Sequence, residues 1–365
     1  MTTMFTVGRA DLRRTQWRDI AQVPLAPGEA RLRIDLFALT SNNVTYGAFG
    51  ESMHYWDFFP TGAQETGCIS VWGFATASES RVVGIDVGER FYGYWPMADE
   101  VILAPVRVAG AGFVDGAPHR RSLPEVYNRY LRCSNDPMYR REHESLMALL
   151  QPLFITSFLI DDFLVDNGFF GARAVLVSSA SSKTGYGLGY CLARHRGDPG
   201  APKAVGLTSP RNLEFTRSLG CYDEVVDYAE VATLAASERT VYVDLSGDAA
   251  LRATIHGHWG DQIAYSCSVG GTHWQALGSG KGLAGPRPVL FFAPAQVNKR
   301  IAEWGAIELQ QRTVSAWQGF IERVGDPAAP WLRVVTSAGR DAVESTYAAL
   351  LDGRVAAQEG RVLAL

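Results

Sequence analysis

One stretch narrows the possible folds of this 365-residue chain more than any other: Val175-Leu-Val-Ser-Ser-Ala-Ser-Ser-Lys-Thr-Gly-Tyr-Gly-Leu-Gly-Tyr190. A β-branched apolar run passes through a turn of small residues into a segment with helical spacing, and the same alternation then repeats. Ala174–Ala180, 204–208, 224–228, 241–247, 262–269 and 288–293 read as apolar strands. Segments 185–194 and 210–219 read as helices between them. Six strands with intervening helices predict an α/β fold built on a doubly wound parallel sheet.

The regions on either side differ in texture. Residues 1–110 are short β-rich runs separated by Pro and Gly, as in an antiparallel or barrel-like domain. From Ser122 to Asp166 the apolar residues recur at helical spacing, with a break expected at Pro152. The tail offers a strand at 331–336, a helix at 341–351 and a strand at 360–363, which predicts a return to the first domain. The expected division is 1–150 with 306–365 as one domain and 151–305 as the other, since a chain of this length exceeds one ordinary core.

Composition sets the class of partner. The chain is 47% hydrophobic and 20% charged with a formal net charge of -4, and it lacks the clustered Lys and Arg that phosphate backbones demand, so no nucleic-acid partner is expected. The nearest approach to a membrane span, 149–163, contains Gln151, Pro152, Asp161 and Asp162, and no span is expected. The N-terminus has no secretory pattern, and the five scattered cysteines suit a reducing compartment, so the expected location is cytoplasmic.

A strand that turns sharply into a helix points backbone N–H groups and the positive helix end at one place, which suits a pyrophosphate. The stretch Val175–Tyr190 has this arrangement. Neither Ser182-Lys183-Thr184 nor Gly278–Gly282 has the spacing of a triphosphate-binding loop. The second strand ends Gly206-Leu-Thr-Ser-Pro-Arg-Asn212. With no acid there to hydrogen-bond a ribose 2′-hydroxyl or repel a 2′-phosphate, NADPH is the expected cofactor.

On these residues the chain resembles the medium-chain dehydrogenase/reductase superfamily, especially its zinc-independent quinone oxidoreductase-like members. Pro24–Ile34, Asn42-Asn-Val-Thr-Tyr46 and Ile85–Gly93 look like landmarks of that family's substrate domain. Leu219–Tyr228, Ser268-Val-Gly-Gly-Thr-His273 and the ending 350–363 are similar to later ones. The unusual segment Tyr127–Cys133 marks a branch of its own. The resemblance implies a Rossmann-type sheet plus a GroES-like β-rich substrate domain with a helical insertion. By this resemblance Ala180, Ser181, Ser182, Lys183, Thr184 and Gly185 would hold the pyrophosphate, Ser209, Arg211, Asn212 and Tyr228 would surround the 2′-phosphate with Thr208 also in the cofactor site, and Gly247, Gly270 and Gly271 would line the nicotinamide half. Thr40-Ser41-Asn42 and Gly62–Glu65 stand where zinc-dependent members carry their ligands, so no metal is expected.

Reduction without a metal needs a hydride donor and a hydrogen-bonding group at the substrate oxygen. Tyr46 is the leading candidate, with Asn42 beside it in what reads as a loop; Tyr46 could instead brace the domain interface, and Asn42 could be there for the backbone of a turn. The aromatic residues Tyr55–Phe59, Tyr92, Tyr94 and Trp95 suggest an apolar pocket for a small carbonyl or enone, or else core. Tyr127, Tyr130 and Arg132 could close over the substrate or else serve the packing of an amphipathic helix, and His54 and His273 are the nearest histidines. Three readings stay open: an NADPH-dependent reductase, a non-catalytic nucleotide-binding protein and non-redox carbonyl chemistry. A homodimer through the strand at 288–293 is also possible on this pattern.

Overall fold

The computed structural model describes residues 1–269 and 282–365. The chain forms two compact units, Met1–Leu149 with Arg333–Leu365, and Leu150–Leu332. The return to the first unit therefore begins at Arg333 and not at 306. The difference is the long helix 306–324, which buries Trp317, Phe320 and Ile321 against the second unit; Phe320 stacks on Phe154 at 4.4 Å.

The first unit runs through β1 (Thr2–Gly8), β2 (Thr15–Ile20), β3 (Ala30–Leu39), α1 (Ser41–Ala48), β4 (Thr66–Gly67), β5 (Ser70–Ser80), β6 (Arg90–Pro96), β7 (Glu100–Leu103), β8 (Pro105–Ala109), β9 (Gly112–Asp115) and β10 (Arg129–Arg132). β2, β1 and β4 form a small antiparallel sheet. The larger sheet pairs β3 with β5 and β7, β5 with β6, and then β10, β9 and β8 in turn. Trp72 lies opposite Tyr94 and Phe74 opposite Tyr92. Because side chains alternate along a strand, these four share one face while Trp95 takes the other.

Two expectations for the middle of the chain are corrected. The segment 127–139 is not an amphipathic helix: Arg129–Arg132 is a strand, with Leu131 opposite Tyr92 and Tyr130 opposite Phe113. Ring contacts of Tyr130 with Trp95 at 4.5 Å and Phe113 at 4.9 Å hold it there, so cross-strand packing overrides the local spacing. The expected break at Pro152 is likewise absent, since α2 (Glu144–Asp166) runs through it. A buried helix recovers through side-chain packing what a proline removes from its hydrogen bonding.

The stretch Arg141–Asp166 is long and apolar enough to cross a membrane by length and composition, and 61% of its most apolar window is buried in the protein. Gln151, Ser157 and Asp161 are among its buried residues.

The second unit continues with β11 (Ala174–Val177), α3 (Lys183–Ala193), β12 (Lys203–Thr208), α4 (Leu213–Ser218), β13 (Glu224–Asp227), β14 (Thr240–Asp244), α5 (Ala249–Trp259), β15 (Ile263–Ser268), β16 (Val289–Leu290), α6 (Ala293–Trp304) and α7 (Ala306–Val324). All six strands are parallel, in the order β13-β12-β11-β14-β15-β16. Leu176, Val205, Leu207, Val226 and Tyr242 pack with Leu251, Ile255 and Trp259 of α5 into its core, as strands covered on both faces require. The chain then returns with β17 (Arg333–Ala338), α8 (Arg340–Leu351) and β18 (Glu359–Ala364); β17 pairs with β18, and β18 with β3.

Candidate functional site

In the second unit the strand order reverses between β11 and β14. Open α/β sheets bind ligands in the crevice beyond the carboxyl ends of the strands at such a point. The turn after β11 stands there. Ser179 adopts φ +50°, an uncommon region for a residue with a side chain. Its N–H donates to the Tyr228 hydroxyl at 2.9 Å, and its carbonyl accepts the Ser182 N–H at 2.8 Å. Ser182 caps α3, its hydroxyl accepting the N–H of Gly185 at 3.0 Å. Lys183 is therefore the first helical residue, two residues before the expected start at Gly185, and the positive end of α3 falls within 180–185.

The late glycines serve close packing. A Cβ on Gly185 would lie 2.3 Å from the Ser179 carbonyl oxygen, and one on Gly189 2.8 Å from the Tyr222 ring and Cys221 Sγ. Tyr222 thus sits against the turn, its hydroxyl donating to the Gly185 carbonyl at 2.6 Å. A backbone brought this close to its own turn leaves no room for a side chain at Gly185.

The neighbouring strand ends complete the rim. Thr208 is buried and its hydroxyl donates to Ser181 Oγ at 3.2 Å. Asn212 Nδ2 donates to Ser209 Oγ at 3.2 Å, and Arg211 is exposed on the short turn Pro210–Asn212. No carboxylate stands between Thr208 and Asn212; Asp227, at the end of β13, is buried and accepts the Ala229 N–H at 2.8 Å. The set at the end of β12 is hydroxyl, guanidinium and amide, which suits a phosphate.

Gly247, at φ +70°, donates its N–H to Asp244 Oδ1 at 3.0 Å. Gly270, Gly271 and His273 lie outside the described residues. Sequence reasoning passed over Ser178, Asp244 and Arg252, which anchor the same rim. The signal was an acid at a strand end followed by Ser, Gly and Asp in Asp244-Leu-Ser-Gly-Asp248.

In the first unit, Asn42 and Tyr46 lie on a helix and not in a loop. The Oδ1 of Asn43 accepts both the N–H and the hydroxyl of Thr40, at 2.8 and 3.0 Å, and its Nδ2 donates to the Ser70 carbonyl at 2.9 Å. This anchors the start of α1. Four residues apart, Asn42 and Tyr46 share a face. Trp72 Nε1 donates to the Tyr46 hydroxyl oxygen at 3.2 Å. Burial raises the Tyr46 phenol well above its usual value, and the nearby Tyr55 adds to this; hydrogen bonds from Trp72 and Asn42 oppose it.

Tyr46 contacts Tyr55 at 4.7 Å and Tyr94 at 5.5 Å between ring centres, and the hydroxyls of Tyr55 and Tyr127 are 3.2 Å apart. Trp95 and Tyr130 belong to the other face, and Arg132 pairs with Glu89. His54 contacts Asp57 at 3.0 Å; both line an open recess of about 400 Å³ with Pro60, His119, Ser122 and Leu123. Among the described residues, no three His, Cys, Asp or Glu side chains converge as metal ligands would.

A parallel sheet in this order and a β-rich unit occur together in other proteins. Solved structures share this fold over nearly the whole chain. CurA from Vibrio vulnificus in complex with NADPH is 14% identical, with a TM-score of 0.62 and coverage of 99% of this chain and 98% of that one. The Etr1p/NADP/crotonyl-CoA complex is 9% identical, with a TM-score of 0.55 and 99% coverage of each. A quinone oxidoreductase from Pseudomonas syringae pv. tomato DC3000 is 13% identical, with a TM-score of 0.54 and coverage of 100% and 99%. Within that fold, the chain belongs to the family described as "Protein of unknown function (DUF2855)", which matches residues 37–356. No curated protein matches the sequence.

Proposed function

We propose that this protein is an NADPH-dependent reductase of a small apolar enone, quinone or ketone. The observation that carries the reading is the end of β12, where Ser209, Arg211 and Asn212 offer donors and no carboxylate intervenes. NADPH, when bound, supplies the hydride. Residues 180–185 would hold its pyrophosphate at the start of α3, and Ser209, Arg211 and Asn212 its 2′-phosphate. Gly247, with Gly270 and Gly271, would line the nicotinamide half. The likeness in fold to CurA with NADPH and to Etr1p with NADP and crotonyl-CoA supports this reading by analogy.

Tyr46 polarises the substrate oxygen. Its raised pKa keeps the phenol protonated at neutral pH, so it donates a hydrogen bond and does not act as a base. Accepting the Trp72 N–H makes its own O–H a better donor, and Asn42 adds to the same effect. The reading is zinc-independent because Thr40, Ser41 and Asn42 stand where the resembled zinc enzymes carry a ligand. Five buried free cysteines suit the cytoplasm. The exposed edge strand Val289–Leu290 offers a surface for a homodimer.

The test is NADPH consumption with a panel of enones, quinones and ketones. Turnover of at least one class is expected. NADPH binding with no turnover across the panel would contradict the catalytic half of the proposal.

A further inference from the structure

Two loops meet where the parallel sheet reverses its order, and one hydroxyl joins them. Ser178, the first residue after β11, donates its Oγ–H to Asp244 Oδ1 at 2.9 Å and accepts the N–H groups of Leu245 at 2.9 Å and Ser246 at 3.0 Å. The same Asp244 oxygen accepts the Ser246 hydroxyl at 2.9 Å and the Gly247 N–H at 3.0 Å. Its other oxygen is held by Arg252 of α5, through Nε at 2.8 Å and Nη2 at 2.7 Å. Ser178 and Ser246 are 0% exposed, Asp244 1% and Arg252 6%.

A buried ion pair of this kind is a poor source of net stability, because removing both charges from water offsets most of their attraction. It does hold geometry, since each partner has few other places to go. Asp244 gathers the start of the 245–248 loop onto one carboxylate, and Ser178 ties that carboxylate to the turn that leads into α3. Asp248 then caps α5, accepting the N–H groups of Ala250 and Leu251 at 2.8 and 3.0 Å.

We infer that Ser178 and Asp244 are positioning residues that fix the 178–185 turn and the 244–248 loop as one body, so that the pyrophosphate and nicotinamide halves of the cofactor meet a single preset surface. This rests on reading the turn as a dinucleotide site. Neither side chain needs to touch the cofactor. Holding both loops before binding removes an ordering cost that the ligand would otherwise bear.

Ser178→Ala removes the link and leaves the Asp244–Arg252 pair. Thr240→Val is the control, because it deletes a buried hydroxyl at the opposite end of β14, where Thr240 bonds the Glu238 carbonyl at 3.0 Å. In the cofactor-free protein, Ser178→Ala is expected to raise amide hydrogen exchange about tenfold in both loops together, and to weaken NADPH about tenfold in a separate titration. Thr240→Val is expected to leave exchange in both loops and NADPH affinity at wild-type values even where its Tm falls as far.

Faster exchange in only one loop, or equal NADPH loss in the control, would overturn the inference. Ser178→Cys, which fills the same site with a much weaker donor and acceptor, should give the same paired rise if Ser178→Ala does not fold. If the wild-type protein binds no NADPH, the dinucleotide reading fails, and exchange in the free protein still decides whether the two loops are joined.

Discussion

The hydroxyl of Tyr228 accepts the backbone N–H of Ser179 at 2.9 Å, tying the residue after β13 to the left-handed bend after β11. Tyr228 thus braces the turn, whereas Arg211 stands exposed beside it. Replacing Tyr228 with Phe deprives a bent backbone of its acceptor, and about 1–2 kcal/mol of stability should be lost. NADPH and NADH should weaken alike. Urea unfolding and paired titrations measure both effects, and a loss confined to NADPH would make Tyr228 a phosphate contact.

Arg211→Ala should behave in the opposite way. Loss of one guanidinium from a 2′-phosphate is worth roughly 1.5–3 kcal/mol, so NADPH affinity should fall at least tenfold while NADH affinity stays within about twofold. Equal losses would place the phosphate elsewhere.

Gly185→Ala and Gly257→Ala should differ in sign. Alanine normally favours a helix over glycine by about 1 kcal/mol, and a Cβ at Gly257 in α5 meets nothing within 4 Å, so that variant should gain stability. At Gly185 the Cβ would lie 2.3 Å from the Ser179 carbonyl oxygen, and displacement of the turn should cost roughly 1–3 kcal/mol. Thermal unfolding of the two variants distinguishes packing from propensity.

These residues mark how far the sequence could be read. The inner parallel strands were legible as buried apolar runs between turn signals, whereas the edge strand Val289–Leu290 is short and exposed. The strand, turn and helix between Val175 and Tyr190 were legible, although α3 begins at Lys183 and not at Gly185. Residues 129–132 were not, since only pairing with β6 and β9 decides between strand and helix there. Asn42 and Tyr46 were misplaced in a loop, although Thr40 and Asn43 already spelled a helix start. Asp244 was missed because its partners, Ser178 and Arg252, come together only when β11, β14 and α5 assemble.

His195 gives a pH dependence that needs no ligand. A hydrogen bond to Asp161 at 3.1 Å raises its pKa, burial opposes the shift, and Asp198 adds to it. A group raised on folding contributes stability that is complete below the unfolded value of about 6.5 and is lost as pH rises through the folded value. Wild type should therefore lose up to about 1 kcal/mol relative to His195→Asn between roughly pH 6 and 8. Parallel denaturation curves across that range would remove His195 as the source.

Tyr46→Phe should lower kcat about 10- to 100-fold with little change in KM, because the phenol oxygen acts on the substrate oxygen as charge develops there. NADPH affinity should be unchanged. A rise in KM alone would make Tyr46 a packing residue of the aromatic group.

Titration of NADPH and NADH into the wild-type protein, followed by nicotinamide fluorescence, goes to the root of the proposal. Saturable binding of NADPH at least tenfold tighter than NADH is expected from the donors at the end of β12 and the missing carboxylate. Failure to bind either nucleotide, or a clear preference for NADH, would contradict it.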